Sequence, residues 1–252
     1  MADIVNAYMA TPPIARTIAT AVFLCSVGAY AGLLSFDPFI FHYSLVWKFP
    51  PALYRLVTTF LLTGPNMSVL FDTYFVFTYL SQLEMSNSRF SKKEDLIWYL
   101  IFVAGVILPL NALFTEGLLL LQALLIAMCY TATQDQRGMN ATFYIVTIPA
   151  QLMPYCLLLV QLLFPGGWAS FKIGLTGLVA AHLHDFLTRI YPEFGNGPNL
   201  IPTPSVLSWI MTTPRVQNTA YGQAFNPPPA RGGRSGPLPD TWRSQGPGRR
   251  LG

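Results

Sequence analysis

The stretch KIGLTGLVAAHLHDFLTRIY, Lys172 to Tyr191, decides how the rest of the chain is read. It is the last long apolar segment. Gly174, Gly177 and Ala181 recur at helical spacing, and His182, His184 and Asp185 follow. Small residues three or four apart let two helices approach closely in a bilayer. Ionisable groups in such a segment are costly unless they face protein or water. The pattern therefore predicts a helix interior to a bundle, with its polar end as the first place to look for chemistry.

Composition points the same way. The 252 residues are 52% hydrophobic and 10% charged, with a mean hydropathy of +0.43. A soluble domain carries about 25% charged residues, so the class is integral membrane protein. Cys25, Cys129 and Cys156 lie in apolar segments and make no disulfide framework. No Cys/His spacing suits zinc, and no glycine-rich loop joins a strand to a helix around a phosphate. No metal and no cofactor are expected. The N-terminus lacks a basic region followed by a cleavage site, so the first span is read as the targeting signal.

Six apolar segments are long enough to be read as spans, at about 17–36, 67–84, 96–115, 118–133, 143–164 and 173–190. The expected fold is an all-α, six-helix membrane bundle over residues 1–192. Pro149 and Pro154 are expected to bend the fifth span, which neighbours can tolerate by satisfying the released backbone groups. Residues 193–213 read as a short amphipathic segment after the last span, with Thr203 as a cap and Pro204 in the first turn. Residues 214–252 are rich in Pro, Gly and Arg, bury too little apolar surface to fold alone, and are expected to be disordered.

Six spans place both termini on one side of the membrane. That side carries Arg16, Arg89, Lys92, Lys93, Arg137, Arg189, Arg215 and the five arginines of the tail. The other carries Lys48, Arg55 and Lys172. The positive-inside rule then puts both termini in the cytosol. The long connection from Asp37 to Pro65 is aromatic and Pro-rich. Its Trp47, Tyr54 and Arg55 suit a membrane interface, each having an apolar body and a polar end.

A six-span bundle with a histidine in its last helix suggests an intramembrane serine protease of the rhomboid type. That chemistry needs a serine in the fourth span within reach of a histidine in the sixth. The fourth span, LLLLQALLIAMCYTA, has no serine. The one Gly-x-Ser-Gly match, Gly233 to Gly236, lies in the tail with no helix and no base beside it. A Cys129–His182 dyad is disfavoured, because a thiol in an apolar helix is inert. His182 reads as a bundle histidine bonded to a neighbouring helix. No catalytic residue is expected. Asp72, Gln82 and Glu84 in the second span are candidates for the wall of a polar groove. A solute channel would call for paired inverted repeats with broken helices, and no such repeat is visible.

These residues carry a resemblance to the Derlin family, the rhomboid-like pseudoproteases of endoplasmic-reticulum-associated degradation. Ile14-Ala15-Arg16 after Pro13 resembles the family's start of the first span. Asp37-Pro38 and Tyr43-Ser44-Leu45-Val46 resemble the first loop of the family's fungal branch. Tyr54-Arg55 through Leu61, followed by Gly64, resembles the Trp-Arg loop motif with Tyr54 in place of Trp. Tyr74-Phe75, Tyr79 and Leu83-Glu84 match a signature at the end of the second span. Gly177 to His182 resembles a Gly-x-x-x-Gly-His pattern, with Ala181 as the second small residue. Thr203-Pro204 and Leu207 resemble the segment after the last span.

The resemblance implies a rhomboid-like fold without proteolysis and a multi-pass place in the endoplasmic reticulum membrane. It implies that misfolded proteins are bound and returned to the cytosol through local bilayer thinning and a hydrophilic lateral groove. The partners it implies are a membrane ubiquitin ligase complex, misfolded clients, the lipid bilayer and the valosin-containing AAA ATPase, with no nucleic acid. Some members dock that ATPase through a C-terminal box; Trp242, Gly246, Gly248 and Leu251 are the degenerate counterpart here. Arg55, Tyr54 and Trp47 would anchor the loop and meet membrane or client. Gly174, Gly177, Ala181 and His182 would hold the last helix in the bundle.

Overall fold

The computed structural model describes residues 8–42, 52–85, 92–134, 138–143, 146–163, 166–195 and 200–210, with residues 6, 90 and 136. All of these belong to one unit, Met1–Thr212. Trp47 and the tail box of Trp242, Gly246, Gly248 and Leu251 lie outside the described residues.

Helix α1 (Pro13–Tyr30) starts on prolines, which suit a first turn because the amides there have no intrahelical partner. A single 3₁₀ turn, Asp37–Phe39, and the four-residue α2 (Arg55–Thr58) shape the long connection. Helix α3 (Ser68–Met85) packs along α1. Helix α4 (Lys93–Phe114) is the longest, with Glu94 and Asp95 in its first turn, where the helix dipole favours negative charge. Among the described residues, α1 and α4 are long and apolar enough to cross a membrane.

Helix α5 (Leu121–Gln134) is the centre of the fold. Every residue from Ala123 to Thr133 is buried, and α3, α4 and the two helices that follow it all pack on it. A helix apolar all round is what a buried position demands. It starts three residues later than the expected span, because Leu118 and Leu120 bond to the long connection instead of continuing a helix. The Phe41 N–H donates to the Leu118 carbonyl at 3.0 Å, and the Leu120 N–H to the Thr59 carbonyl at 3.2 Å.

The expected fifth span is where sequence and structure part. Its first residues form a hairpin, β1 (Asn140–Phe143) antiparallel to β2 (Val146–Pro149), with Ala141 opposite Ile148. The segment ATFYIVTIP is β-branched and aromatic, which favours a pleated strand over a helix. Pro149 does not bend a helix here. It closes β2, a 3₁₀ turn follows, and α6 (Met153–Gln161) begins with Pro154 in its first turn. Among the described residues of that span, nine are α-helical, about 14 Å of rise.

Gly166, at φ 75°, adopts the left-handed conformation open to glycine and starts α7 (Gly167–Asp185). Helix α7 packs on α5, α4 and α6. It continues through a wider π turn, Phe186–Ile190, into the short α8 (Tyr191–Gly195). Helix α9 (Ser205–Ile210) touches α4. Thr203, expected as its cap, instead donates its hydroxyl to Asp95 Oδ1 at 2.6 Å, tying the segment to the first turn of α4.

Candidate functional site: a clamped connection and a polar seam

Arg55 enters the fold as a long cationic side chain at the head of a one-turn helix. It is 4% exposed. Its guanidinium donates to the Asp37 carbonyl, to the Ile40 carbonyl at 2.8 Å and to Asp37 Oδ2 at 3.0 Å. The side chain expected to meet membrane or client therefore faces inward. A planar fork with several donors suits this task better than an ammonium, because two carbonyls and a carboxylate are met at once. Tyr54 stays half-exposed, with the guanidinium 5.8 Å from its ring centroid. Leu53, Tyr54 and Val57 present an apolar outer face, while Phe60 and Leu62 are buried beneath it. The rest of the connection is pinned by α1: the Thr63 N–H donates to Ser26 Oγ at 3.1 Å, and the Tyr30 hydroxyl donates to the Thr63 carbonyl at 2.8 Å.

The small residues of α7 lie where close approach is needed. A Cβ added at Gly177 would stand 1.9 Å from the Ala123 carbonyl oxygen and 2.8 Å from its Cα. Two helix backbones meet there with no side chain between them. At Gly174 a Cβ would meet Ile126 and Leu158 at 2.6 and 2.7 Å, so that position joins α7 to both α5 and α6. Ala181 is fully buried in the same seam.

His182 stands beyond the close contact, on an exposed position. Its Nδ1 lies 2.8 Å from the Tyr130 hydroxyl of α5, and the two rings meet edge-on. His184, two residues on, points elsewhere. It is buried between Tyr99 and Phe102 of α4, with centroids 4.9 and 5.4 Å away. The Tyr99 hydroxyl lies 2.9 Å from the Ala127 carbonyl and 2.8 Å from the Thr131 hydroxyl. The α4, α5 and α7 helices thus share polar side chains at the end of the bundle where α5 and α7 finish. Cys129 is fully buried, with Tyr79 of α3 beside its thiol.

The three polar candidates of the second span do not form one wall. Asp72 sits near the start of α3 and keeps Oδ2 buried without a partner. Glu84 sits near its other end, about 18 Å further along the helix. Its carboxylate accepts from the Ile14 and Ala15 N–H groups, each at 3.0 Å. It caps α1 from a neighbouring helix, because Pro12 at the cap position offers no side-chain acceptor. Gln82 lies between them and is itself engaged. Helices α3 and α6 both pack on α5 but make at most marginal contact with each other among the described residues.

Sequence reasoning missed three participants. Asp37 completes the Arg55 clamp, Tyr130 holds His182, and the hairpin replaces the start of a span. Tyr130 lies in the apolar fourth span as an aromatic among Leu and Ala, with no local signal of its partner. The hairpin had a signal, the β-branched and aromatic run ATFYIVTIP, masked by its overall hydropathy.

Comparison with known proteins gives one family. The model of the Der1-like family matches residues 11–205. Derlin-2.2 of Arabidopsis thaliana is 29% identical over 212 residues, covering 79% of this chain and 84% of that protein. Derlin-1 of Arabidopsis thaliana is 24% identical over 212 residues, covering 83% and 77%. Derlin-2 of Oryza sativa subsp. japonica is 26% identical over 221 residues, covering 83% and 86%. These relatives are plant proteins and lend no support to the fungal-branch likeness.

Proposed function

The chain belongs to the Der1-like family, and from that premise we propose that it binds misfolded proteins and eases their return to the cytosol by thinning the bilayer beside a hydrophilic lateral groove. Family membership itself carries the coarser statements: a role in endoplasmic-reticulum-associated degradation, a place in that membrane, and the inactive rhomboid-like character of the family.

The observation that carries the finer reading is the length of α6. Its nine residues rise about 14 Å, against a hydrocarbon core of about 30 Å, and Tyr155 and Leu159 are exposed on its outer side. An outward-facing apolar helix that short is matched by a locally thinner bilayer. Tyr130 and His182 supply polar groups on the α5–α7 seam near the helix ends. A polypeptide crossing there meets less hydrocarbon and some hydrogen-bonding partners, and both lower the cost of its own polar backbone. Proteolysis has no support from the geometry: His182 Nδ1 is taken by Tyr130, and the Cys129 thiol is buried against Tyr79.

In this reading the chain spans the membrane six times with both termini in the cytosol. It works with a membrane ubiquitin ligase complex and presents its tail to the valosin-containing ATPase. The test is turnover of a misfolded lumenal reporter in cells lacking the gene. Wild type restores turnover, and Arg55→Ala/Gly177→Leu, inserted at equal level, does not. Restoration by both would remove the clamp and the seam from the function. Failure of wild type to restore turnover of lumenal or membrane clients would overturn the reading.

A further inference from the structure

The hairpin is a two-stranded sheet, so each strand has an outer edge. Its register fixes what those edges offer. The Ala150 N–H donates to the Met139 carbonyl at 2.9 Å, which makes that pair a hydrogen-bonded one. Hydrogen-bonded and non-hydrogen-bonded pairs alternate along an antiparallel ladder. Asn140–Pro149 and Thr142–Thr147 are therefore non-hydrogen-bonded pairs, and their backbone groups point outward. On the β1 edge, Asn140 and Thr142 each present an N–H and a C=O. On the β2 edge, Pro149 has no N–H, and the ladder there is blunted.

The faces of the hairpin are equally asymmetric. Ala141 and Ile148 pack against the helical core, while Asn140, Thr147 and Pro149 are exposed. The strands follow directly from the Gln134 end of α5, where the Gln136 N–H donates to the Thr133 carbonyl. This is the end of the bundle that carries Tyr130 and His182. The hairpin has no charged residue from Asn140 to Pro149, so nothing along the edge repels an incoming strand of either charge.

We infer that the β1 edge binds an extended, unfolded polypeptide by strand addition as it leaves the groove. The inference rests on the retrotranslocation reading and names how the client is held. Misfolded proteins share no sequence. What every extended chain shares is its row of backbone N–H and C=O groups, and strand addition reads those. The blunted β2 edge restricts addition to one side.

The experiment uses the full chain in microsomes, with a photo-crosslinking amino acid at position 140 and a misfolded soluble reporter in transit. Thr142→Pro removes the outward N–H without removing a ladder bond. It lowers reporter capture about fivefold, the effect of one backbone hydrogen bond, and slows turnover in step. Thr142→Lys, which blunts an edge by charge, acts in the same direction and decides the matter if the proline variant inserts poorly. Thr147→Pro, on the opposite edge, leaves capture unchanged. Wild-type capture and turnover in both position-142 variants would overturn the inference. So would crosslinks from position 140 that go to a second copy or to the chain's own residues 211–252. Failure of the wild-type chain to restore turnover would instead remove the retrotranslocation reading beneath it.

Discussion

Gly177→Ala adds one methyl group where two helix backbones touch. The new Cβ would lie 1.9 Å from the Ala123 oxygen, and real Cβ contacts are not found below 3.0 Å. The seam between α5 and α7 has to open by about 1 Å. The obstacle is backbone on both sides, so no side chain can rotate away. A gap of about 0.5–1 Å forfeits a quarter to a half of each dispersion contact along the seam, and the buried Ala180, Ala181 and Ile126 are its neighbours. Overpacking of a core costs about 1–3 kcal/mol, and helix propensity returns at most about 1 kcal/mol for Gly to Ala. Because the clash is rigid, the cost lies at the upper end of that range, and we expect a net loss of about 2 kcal/mol. In thermal unfolding of the detergent-purified protein that is a midpoint lower by about 4–8 °C. Gly105→Ala in α4 is the internal control, since nothing lies within 4 Å of its added Cβ. It should leave the midpoint unchanged or raise it slightly. If Gly177→Ala and Gly105→Ala unfold together, the seam is not held by backbone contact and the packing argument for α7 fails.

Glu84→Ala removes the acceptor for two amides at the start of α1 and should cost about 1–2 kcal/mol, whereas Glu84→Gln, which keeps an oxygen, should cost less; equal losses in unfolding would mean that the cap is not what Glu84 supplies. Tyr130→Phe and His182→Ala should be less than additive, with a coupling of about 0.5–1.5 kcal/mol in a double-mutant cycle, and strict additivity would remove the bond between them. Arg55→Lys should slow reporter turnover nearly as much as Arg55→Ala, because an ammonium cannot reach both carbonyls and the Asp37 carboxylate together. Asn140-Ala141-Thr142 is a glycosylation sequon that should stay unmodified if the hairpin faces the cytosol. A glycosidase-sensitive mobility shift abolished by Asn140→Gln would place it in the lumen instead.

The family and the membrane class were legible from composition, from the small residues of the last helix and from the tyrosine and glutamate at the end of α3. Hydropathy located the helices because a buried or lipid-facing helix must be apolar whatever it packs against. It did not give the length of the fifth span, since a core-facing strand and a spanning helix are equally apolar. Only the β-branched and aromatic content of ATFYIVTIP separates them, over a window shorter than a span. The partners of the polar candidates were hidden for another reason. Sequence shows that Glu84 is ionisable, but not that the start of α1 lies beside it, 70 positions away. The partners of Arg55 were hidden in the same way: two backbone carbonyls, which every residue has and no sequence pattern marks, and the Asp37 carboxylate 18 positions away.

That separation of Glu84 from Ile14 has a consequence for biogenesis. During synthesis the start of α1 emerges first, and its cap follows only after 70 further residues have been joined. At about 5–20 residues per second, the delay is on the order of 4–14 s. Throughout that interval the two amides at the start of α1 lack their carboxylate. A nascent chain stopped before Glu84 should therefore remain extractable from the membrane longer than one stopped just after it.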